Sequence, residues 1–196
     1  MGGMPRLVAP AIPPGGLARL PQPELRLRHV VLRPWQASDA AAVAEAYSEP
    51  AIQYWHARSM TQDEALAWIA TWPDRWQQET GGGWAIVNEA GLVGQISLRR
   101  LDLSEGLAEV SYWVVQAARG RRIATQALSA LTRWVFGELA LHRVEVAHST
   151  LNLASCRVAD NAGYTFEGTK RREALHTDGW HDMHLHACLI DDPRAH

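Results

Sequence analysis

The chain has 196 residues, 47% hydrophobic and 20% charged, with a formal net charge of −2. That length suits a single domain able to bury its own core, and the apolar content excludes an intrinsically disordered chain. The charge balance excludes a broadly basic surface for nucleic acid, and two cysteines, Cys156 and Cys188, with no CxxC spacing exclude a disulfide framework.

Residues 1–23 are rich in Pro and Gly and show no hydrophobic period, so a flexible N-terminal arm is expected, followed by one domain over residues 24–192. Pro10, Pro13 and Pro14 interrupt the apolar part of that arm, which reads against a signal sequence. No apolar run reaches the roughly 18 residues of a membrane span, and a cytoplasmic protein without membrane or nucleic-acid partners is expected. Arg28 to Leu32 reads as a first strand, stopped by Pro34. Ser38 or Asp39 caps a helix over Ala41–Tyr47. Thr61 and Glu64 form a capping box for the next helix, where Ala65, Trp68, Ile69, Trp72 and Trp76 recur at helical spacing. Gly81-Gly82-Gly83 reads as a turn, and Trp84–Val87 and Leu92–Leu98 as a hairpin.

Leu107–Val115 follows as a strand, then a helix from about Arg122 to Gly137 with Ile123, Ala127, Leu128, Leu131 and Val135 on one face. His142–Ala147 reads as a strand and Asn152–Ala162 as a short helix ended by Gly163. Tyr164–Arg171 and Met183–Ile190 close the chain as strands. The order is mixed α/β, with one strand–helix–strand unit at its centre.

The stretch Val114-Val115-Gln116-Ala117-Ala118-Arg119-Gly120-Arg121-Arg122-Ile123-Ala124-Thr125 carries the most chemistry. A strand ends, a short basic loop follows, and a helix begins at once. The first N–H groups of a helix lack partners and sit at its positive pole, so such a loop binds an anion, above all a pyrophosphate. Gly120 and Ala124 leave room for phosphate oxygens, and Arg119, Arg121 and Arg122 add charge.

This stretch resembles the CoA-binding motif Gln/Arg-x-x-Gly-x-Gly/Ala of the GNAT superfamily, with Arg119 at its first position and Ala124 at its last. Arg122 stands where that family usually has glycine. Either the position needs a left-handed backbone, which arginine takes only with strain, or it already lies in the first helical turn; the second is expected. A second block, Asn152-Leu153-Ala154-Ser155 through Val158 to Gly163-Tyr164-Thr165-Phe166-Glu167-Gly168, is similar to the signature of the RimJ/RimL-like branch, whose members acetylate ribosomal-protein N-termini. Together with Val31–Pro34, Asp39, Glu109 and Gly179–Asp182, the resemblance runs from about Leu27 to Ile190.

The resemblance implies a GNAT fold: a mixed, mostly antiparallel central sheet flanked by helices, with the CoA site at the strand–helix turn just described. It implies transfer of an acetyl group from acetyl-CoA to a primary amine, a protein N-terminus or a small molecule, by direct attack. It also implies cofactor contacts from Val114, Val115, Arg119 to Thr125, Asn152 and Ser155. Within that scheme the N–H of Val114 or Val115 stabilises the oxyanion, Glu109 is the candidate general base and Ser155 serves the departing thiolate. The helix after Asn152 lacks the tyrosine that many members use for that last task. The acceptor is expected among Trp35, Tyr54, Trp55, His56 and Trp72, with His176 and Trp180 opposite. A catalytically degenerate CoA-binding domain and a different donor such as succinyl-CoA are the alternatives, and a homodimer is the default assembly. His181, His184 and His186 lie on a strand that alternates with Met183, Leu185 and Ala187, so a solvated or pocket-lining face is expected rather than a metal site. A covalent acyl-cysteine at Cys156 is disfavoured because no histidine is near it in sequence.

Overall fold

The computed structural model describes residues 7–193. Strands β1 (Leu25–Arg26) and β2 (Val31–Pro34) come first, then helices α1 (Ala40–Ala46), α2 (Pro50–His56) and α3 (Gln62–Gln77). Strands β3 (Gly82–Asn88), β4 (Gly91–Asp102) and β5 (Leu107–Val114) form a meander. Helix α4 (Ile123–Leu139), strand β6 (Arg143–Ser149), helix α5 (Leu153–Asn161) and strands β7 (Thr165–His176) and β8 (Gly179–Leu189) complete the chain. One eight-stranded sheet results, in the order β1-β2-β3-β4-β5-β6-β8-β7. Neighbours pair antiparallel except β5 and β6, which are parallel because α4 carries the chain back across the sheet.

The expected apolar face of α4 is buried in full: Ile123, Ala127, Leu128, Leu131 and Val135 pack with Ile96, Leu98, Val110, Val144 and Val146 of the sheet. A second cluster joins Val43 and Tyr47 near α1 to Ile52, Ile69 and Trp113. Thr61 and Glu64 make the capping box that the sequence calls for at the start of α3.

Several local expectations are corrected. Asp39 does not cap α1: its carboxylate accepts from the Gln36 N–H (2.9 Å) and holds the Arg33 guanidinium through two bonds of 2.7 and 2.8 Å. Residues 50–56 form a helix that starts with proline at its first turn and has no side-chain cap, so polar start signals were missing. Gly82 and Gly83 are strand, not turn. They are glycine because a Cβ at Gly83 would stand 2.5 Å from the Trp72 ring and one at Gly82 2.8 Å from Trp76.

The described part of the presumed flexible arm is docked. Leu17 is fully buried, Ile12 N–H donates to the Leu103 carbonyl, and the Glu79 carboxylate accepts from the N–H groups of Gly15, Leu17 and Ala18 at 2.7–3.1 Å. The indoles of Trp76 and Trp84 donate to the carbonyls of Leu20 and Pro23. Aperiodic Pro/Gly sequence gave no sign of these contacts because the partners lie about sixty residues away. Residues 1–6 lie outside the described part of the chain.

Candidate active site

Pairing between β5 and β6 ends at Glu109↔Glu145, although both strands continue to Val114 and Ser149. The splay opens a cleft with two cavities. One, of about 390 Å³, is bounded by Val114, the loop at Arg119 and Gly120, residues 122–125 and the start of α5. The other, of about 520 Å³, runs under α2 and α3 and is lined by Trp55, His56, Arg58, Trp72, Arg75, Arg99 and His176 among others. Trp55, His56, Tyr112, Asn152 and Ser155 line both, so the cavities meet there.

At that junction the Tyr112 hydroxyl lies 2.7 Å from Ser155 Oγ. Burial pushes the Tyr112 pKa up, against a smaller opposing effect of the Ser155 bond, so the phenol keeps its proton. Asn152 caps α5 by accepting from the Ser155 N–H at 3.0 Å, which fixes Ser155 in the first turn. Burial is also the main cause that lowers His56 to about 4, helped by neighbouring Arg58, leaving a neutral imidazole at the junction.

In the first cavity's turn, Gly120 (φ 79°) and Arg122 (φ 59°) are both left-handed. The first α4 bond is Gln126 N–H to the Arg122 carbonyl (3.0 Å), so the N–H groups of Ile123, Ala124 and Thr125, residues that line the cavity, precede the helical ladder. In the larger cavity, none of the described lining residues carries a carboxylate, whereas Arg58, Arg75 and Arg99 do line it. The Arg75 guanidinium lies 4.6 Å from the Trp72 ring centroid and donates to the Arg99 carbonyl at 2.6 Å. A hydrogen-bonded chain reaches the same cavity from outside: Tyr54 hydroxyl to Asp178 (2.7 Å), Asp178 to His181 Nε2 (2.9 Å), and His181 Nδ1 to Ser149 Oγ (2.8 Å), with Ser149 in the cavity wall.

The family model described as an acetyltransferase (GNAT) domain matches residues 29–165. The chain belongs to the GNAT acetyltransferase family. It is 30% identical over 122 residues to YdaF of Bacillus subtilis (62% of this chain, 66% of that protein). It is 31% identical over 106 residues to a ribosomal-protein-serine acetyltransferase of Escherichia coli, covering 54% of this chain and 59% of that one. The matched segments thus span under two thirds of these relatives. Among solved structures, RimL, a ribosomal L7/L12 α-N-protein acetyltransferase in complex with coenzyme A, superposes with a TM-score of 0.79 at 20% identity, over 87% of this chain and 99% of that one. The microcin C7 self-immunity acetyltransferase MccE, bound to acetyl-CoA and AMP, gives 0.77 at 17% identity, over 83% and 93%. Likeness at those identities shows the fold.

Within this GNAT domain Trp55, His56, Trp72, His176, Asn152 and Ser155 come together as the sequence led one to expect, and Gly120, Arg122, Ile123, Ala124 and Thr125 line the smaller cavity. Other expected residues stand elsewhere. Glu109 lines neither cavity; its carboxylate faces Arg99 Nε at 3.3 Å. Val115 N–H already donates to the Val93 carbonyl (3.0 Å) and is not free for an oxyanion. Arg119 spends its guanidinium on the Val114 carbonyl and the Glu49 carboxylate, bracing the loop against α2, and Arg121 is absent from the described lining. Arg122 is left-handed, not within the helical turn. Trp35 packs edge-on against Trp68, Tyr54 braces Asp178, and Trp180 is 60% exposed outside both cavities.

Tyr112, Ser149 and Asp178 carry no role in the sequence reading, and His181 enters it only as part of a solvated or pocket-lining strand face. For Tyr112 a usable signal existed: it sits two residues before Val114 on the strand that ends in the CoA-type loop. Ser149, Asp178 and His181 come from two elements and a turn, and no spacing rule links them. Cys156 also shows the limit of counting along the chain, since His186 Nε2 is 3.7 Å from its sulfur in space. Cys156 lines neither cavity, so the thioester has no route to it among the described surfaces.

Proposed function

We propose that this domain transfers an acetyl group from acetyl-CoA to a primary amine that carries negative charge close by, with the N-terminus of an acidic peptide segment as the favoured acceptor class. The observation that carries this reading is the larger cavity, lined by Arg58, Arg75 and Arg99 (the last also facing Glu109) with no carboxylate among its described lining residues, and joined to the smaller one at Tyr112 and Ser155. Burial lowers the Arg75 pKa, and no carboxylate offsets that effect. The ribosomal-protein substrates named for relatives are consistent with a peptide N-terminus.

In this account the CoA pyrophosphate sits on the N–H groups at Gly120 and at the start of α4, and the thioester carbonyl points at the Val114 N–H. The arginines disfavour an ammonium beside them, so the amine arrives neutral. An α-amino group, with a pKa near ~8, loses its proton more readily there than an alkylamine near ~10. Attack forms the C–N bond and breaks the C–S bond. The amine proton passes to Ser149 Oγ, whose own proton goes to His181, with Asp178 orienting the ring. The Tyr54 hydroxyl bond is the chief cause holding Asp178 below the usual carboxylate range, so it stays charged. Ser155, aligned by Tyr112, hydrogen-bonds the departing thiolate; the buried phenol orients and does not itself ionise.

The same arginines favour one second reading, a dicarboxylic donor such as succinyl-CoA whose free carboxylate they would hold. Release of CoA thiol is the test, with acetyl-CoA and succinyl-CoA as donors. Acceptors would be peptides beginning Ser-Asp-Glu and Ser-Lys-Arg, with spermidine alongside. Preferential turnover of the acidic peptide with acetyl-CoA is expected. Equal or faster turnover of the basic peptide or spermidine would sink the acceptor assignment, and faster turnover with succinyl-CoA would move the arginines to the donor.

A further inference from the structure

Beside the larger cavity, whose wall includes His148, β6, β8 and the start of α5 gather four ligating side chains. His148, Cys156, His184 and His186 each offer one donor atom, and these atoms all lie within 4.8 Å of one another. The strand face that sequence alternation marks as solvated or pocket-lining is covered at this end: His186 is 1% exposed, and His148 on the neighbouring β6 5%. α5 covers it because Cys156 lies in its first turns, and Phe166 flanks it with ring centroids 4.9 Å from His184 and 5.5 Å from His186.

The hydrogen-bonding state of this cluster is unusual. His148 Nδ1 lies 2.8 Å from the Ser149 carbonyl and so carries the proton, which leaves Nε2 as a bare lone pair. That Nε2 is buried with no partner among the described residues, as is His184 Nδ1. Each such nitrogen costs on the order of 1–3 kcal/mol if nothing meets it. His186 Nε2 faces Cys156 Sγ at 3.7 Å, while the Asp160 carboxylate stands 3.5 Å from the other nitrogen of that ring. A tetrahedral ion with metal–sulfur and metal–nitrogen bonds of ~2.3 and ~2.05 Å separates sulfur from nitrogen by about 3.6 Å. The observed spacing already fits that edge. A carbonyl behind one imidazole and a carboxylate behind another are the supports that metal-binding histidines ordinarily have.

We propose that His148, Cys156, His184 and His186 form a closed tetrahedral site for zinc(II) or a similar borderline-soft divalent ion, pinning α5 to β6 and β8. Three imidazoles and one thiolate complete a four-coordinate shell, leaving no open position, so the role is structural. Binding takes the Cys156 proton into solvent and makes four metal–ligand bonds; no electron moves. Because Cys156 follows Ser155 directly, the ion would also fix the turn that places Ser155 at the cavity junction.

Cobalt(II) is the probe. Metal-free full-length protein titrated with cobalt should develop the intense visible bands of a tetrahedral centre together with a near-ultraviolet thiolate-to-cobalt band. Both should saturate at one equivalent and be displaced by zinc. Cys156→Ser should lose the thiolate band. His184→Gln, at a half-buried position, should weaken cobalt binding at least tenfold while keeping the far-ultraviolet circular dichroism of the parent. One equivalent of zinc should raise the melting temperature of the parent and not of Cys156→Ser. Absence of a thiolate band in the folded parent, its persistence in Cys156→Ser, or cobalt affinity unchanged by His184→Gln would each overturn the site.

Discussion

Replacing Tyr112 with phenylalanine removes one oxygen from the point where the two cavities join and leaves the ring packing intact. In the folded chain that oxygen lies 2.7 Å from Ser155 Oγ and donates a longer bond, 3.4 Å, to the Ser155 carbonyl. Ser155 is only partly buried and can turn to solvent, so the stability cost should stay near ~1 kcal/mol, the net worth of one ordinary hydrogen bond. Catalysis should suffer differently. Ser155 touches the departing sulfur in this account, and losing a direct donor to developing charge costs on the order of 100-fold in kcat. Tyr112 acts only by aligning that donor, so Tyr112→Phe should lower kcat about tenfold, or ~1.4 kcal/mol. KM for acetyl-CoA should move less than about twofold, because the pyrophosphate seat is untouched. The double variant Tyr112→Phe/Ser155→Ala should match Ser155→Ala alone, since an aligner has nothing left to align. Thiol release under saturating acetyl-CoA gives all four rates. Full kcat in Tyr112→Phe beside a crippled Ser155→Ala would refute the alignment argument, as would multiplicative losses in the double variant.

Three more outcomes are expected. His181→Gln should lower kcat at least about tenfold with KM for acetyl-CoA unchanged; a wild-type kcat would take the Ser149–His181–Asp178 chain out of proton transfer. Arg122→Gly should stabilise the fold by up to ~1 kcal/mol in urea unfolding, since left-handed arginine costs roughly 1–2 kcal/mol and glycine returns ~0.5–1 in unfolded-state entropy; destabilisation would mean that the Arg122 side chain makes compensating contacts. Burial pushes the Glu79 pKa up, but the backbone donors from Gly15, Leu17 and Ala18 outweigh it and hold the carboxyl below its ordinary 4.5. The folded pKa is depressed, so the arm's attachment is complete above pH 4.5 and weakens as pH falls below it. Amide exchange at Leu17 should speed up over that window, and Glu79→Gln should abolish the dependence; protection constant with pH would contradict it.

How much was legible in the sequence follows from how local each cause is. The capping box at Thr61 and Glu64, the period of α4 and the basic loop at Arg119 to Ala124 are written in neighbouring residues, and all appear in the fold. The triple glycine was misread because its cause is the Trp72 and Trp76 rings laid on β3 from another element. Glu109 matched a familiar acidic position, yet a bulge between Leu98 and Arg100 sets Arg99 beside it and the cavities pass it by. Arg122 tells a sharper story, since helix periodicity extends through it while the turn bends it into left-handed space. The arginine-lined cavity, the Ser149–His181–Asp178 chain and the histidine–cysteine cluster each assemble from segments far apart in sequence, which no linear pattern records.

The most direct test of the two-cavity account is the affinity of a bisubstrate compound in which the sulfur of CoA is joined through an acetyl bridge to the amine of a Ser-Asp-Glu peptide. Calorimetry on the full chain would compare it with CoA and the peptide measured separately. If the cavities meet at Tyr112 and Ser155 as described, the joined compound should bind at least about 100-fold more tightly than either half, because the second half binds at high effective concentration. Affinity no better than that of CoA alone would contradict the account, since it would place the acceptor somewhere other than the arginine-lined cavity.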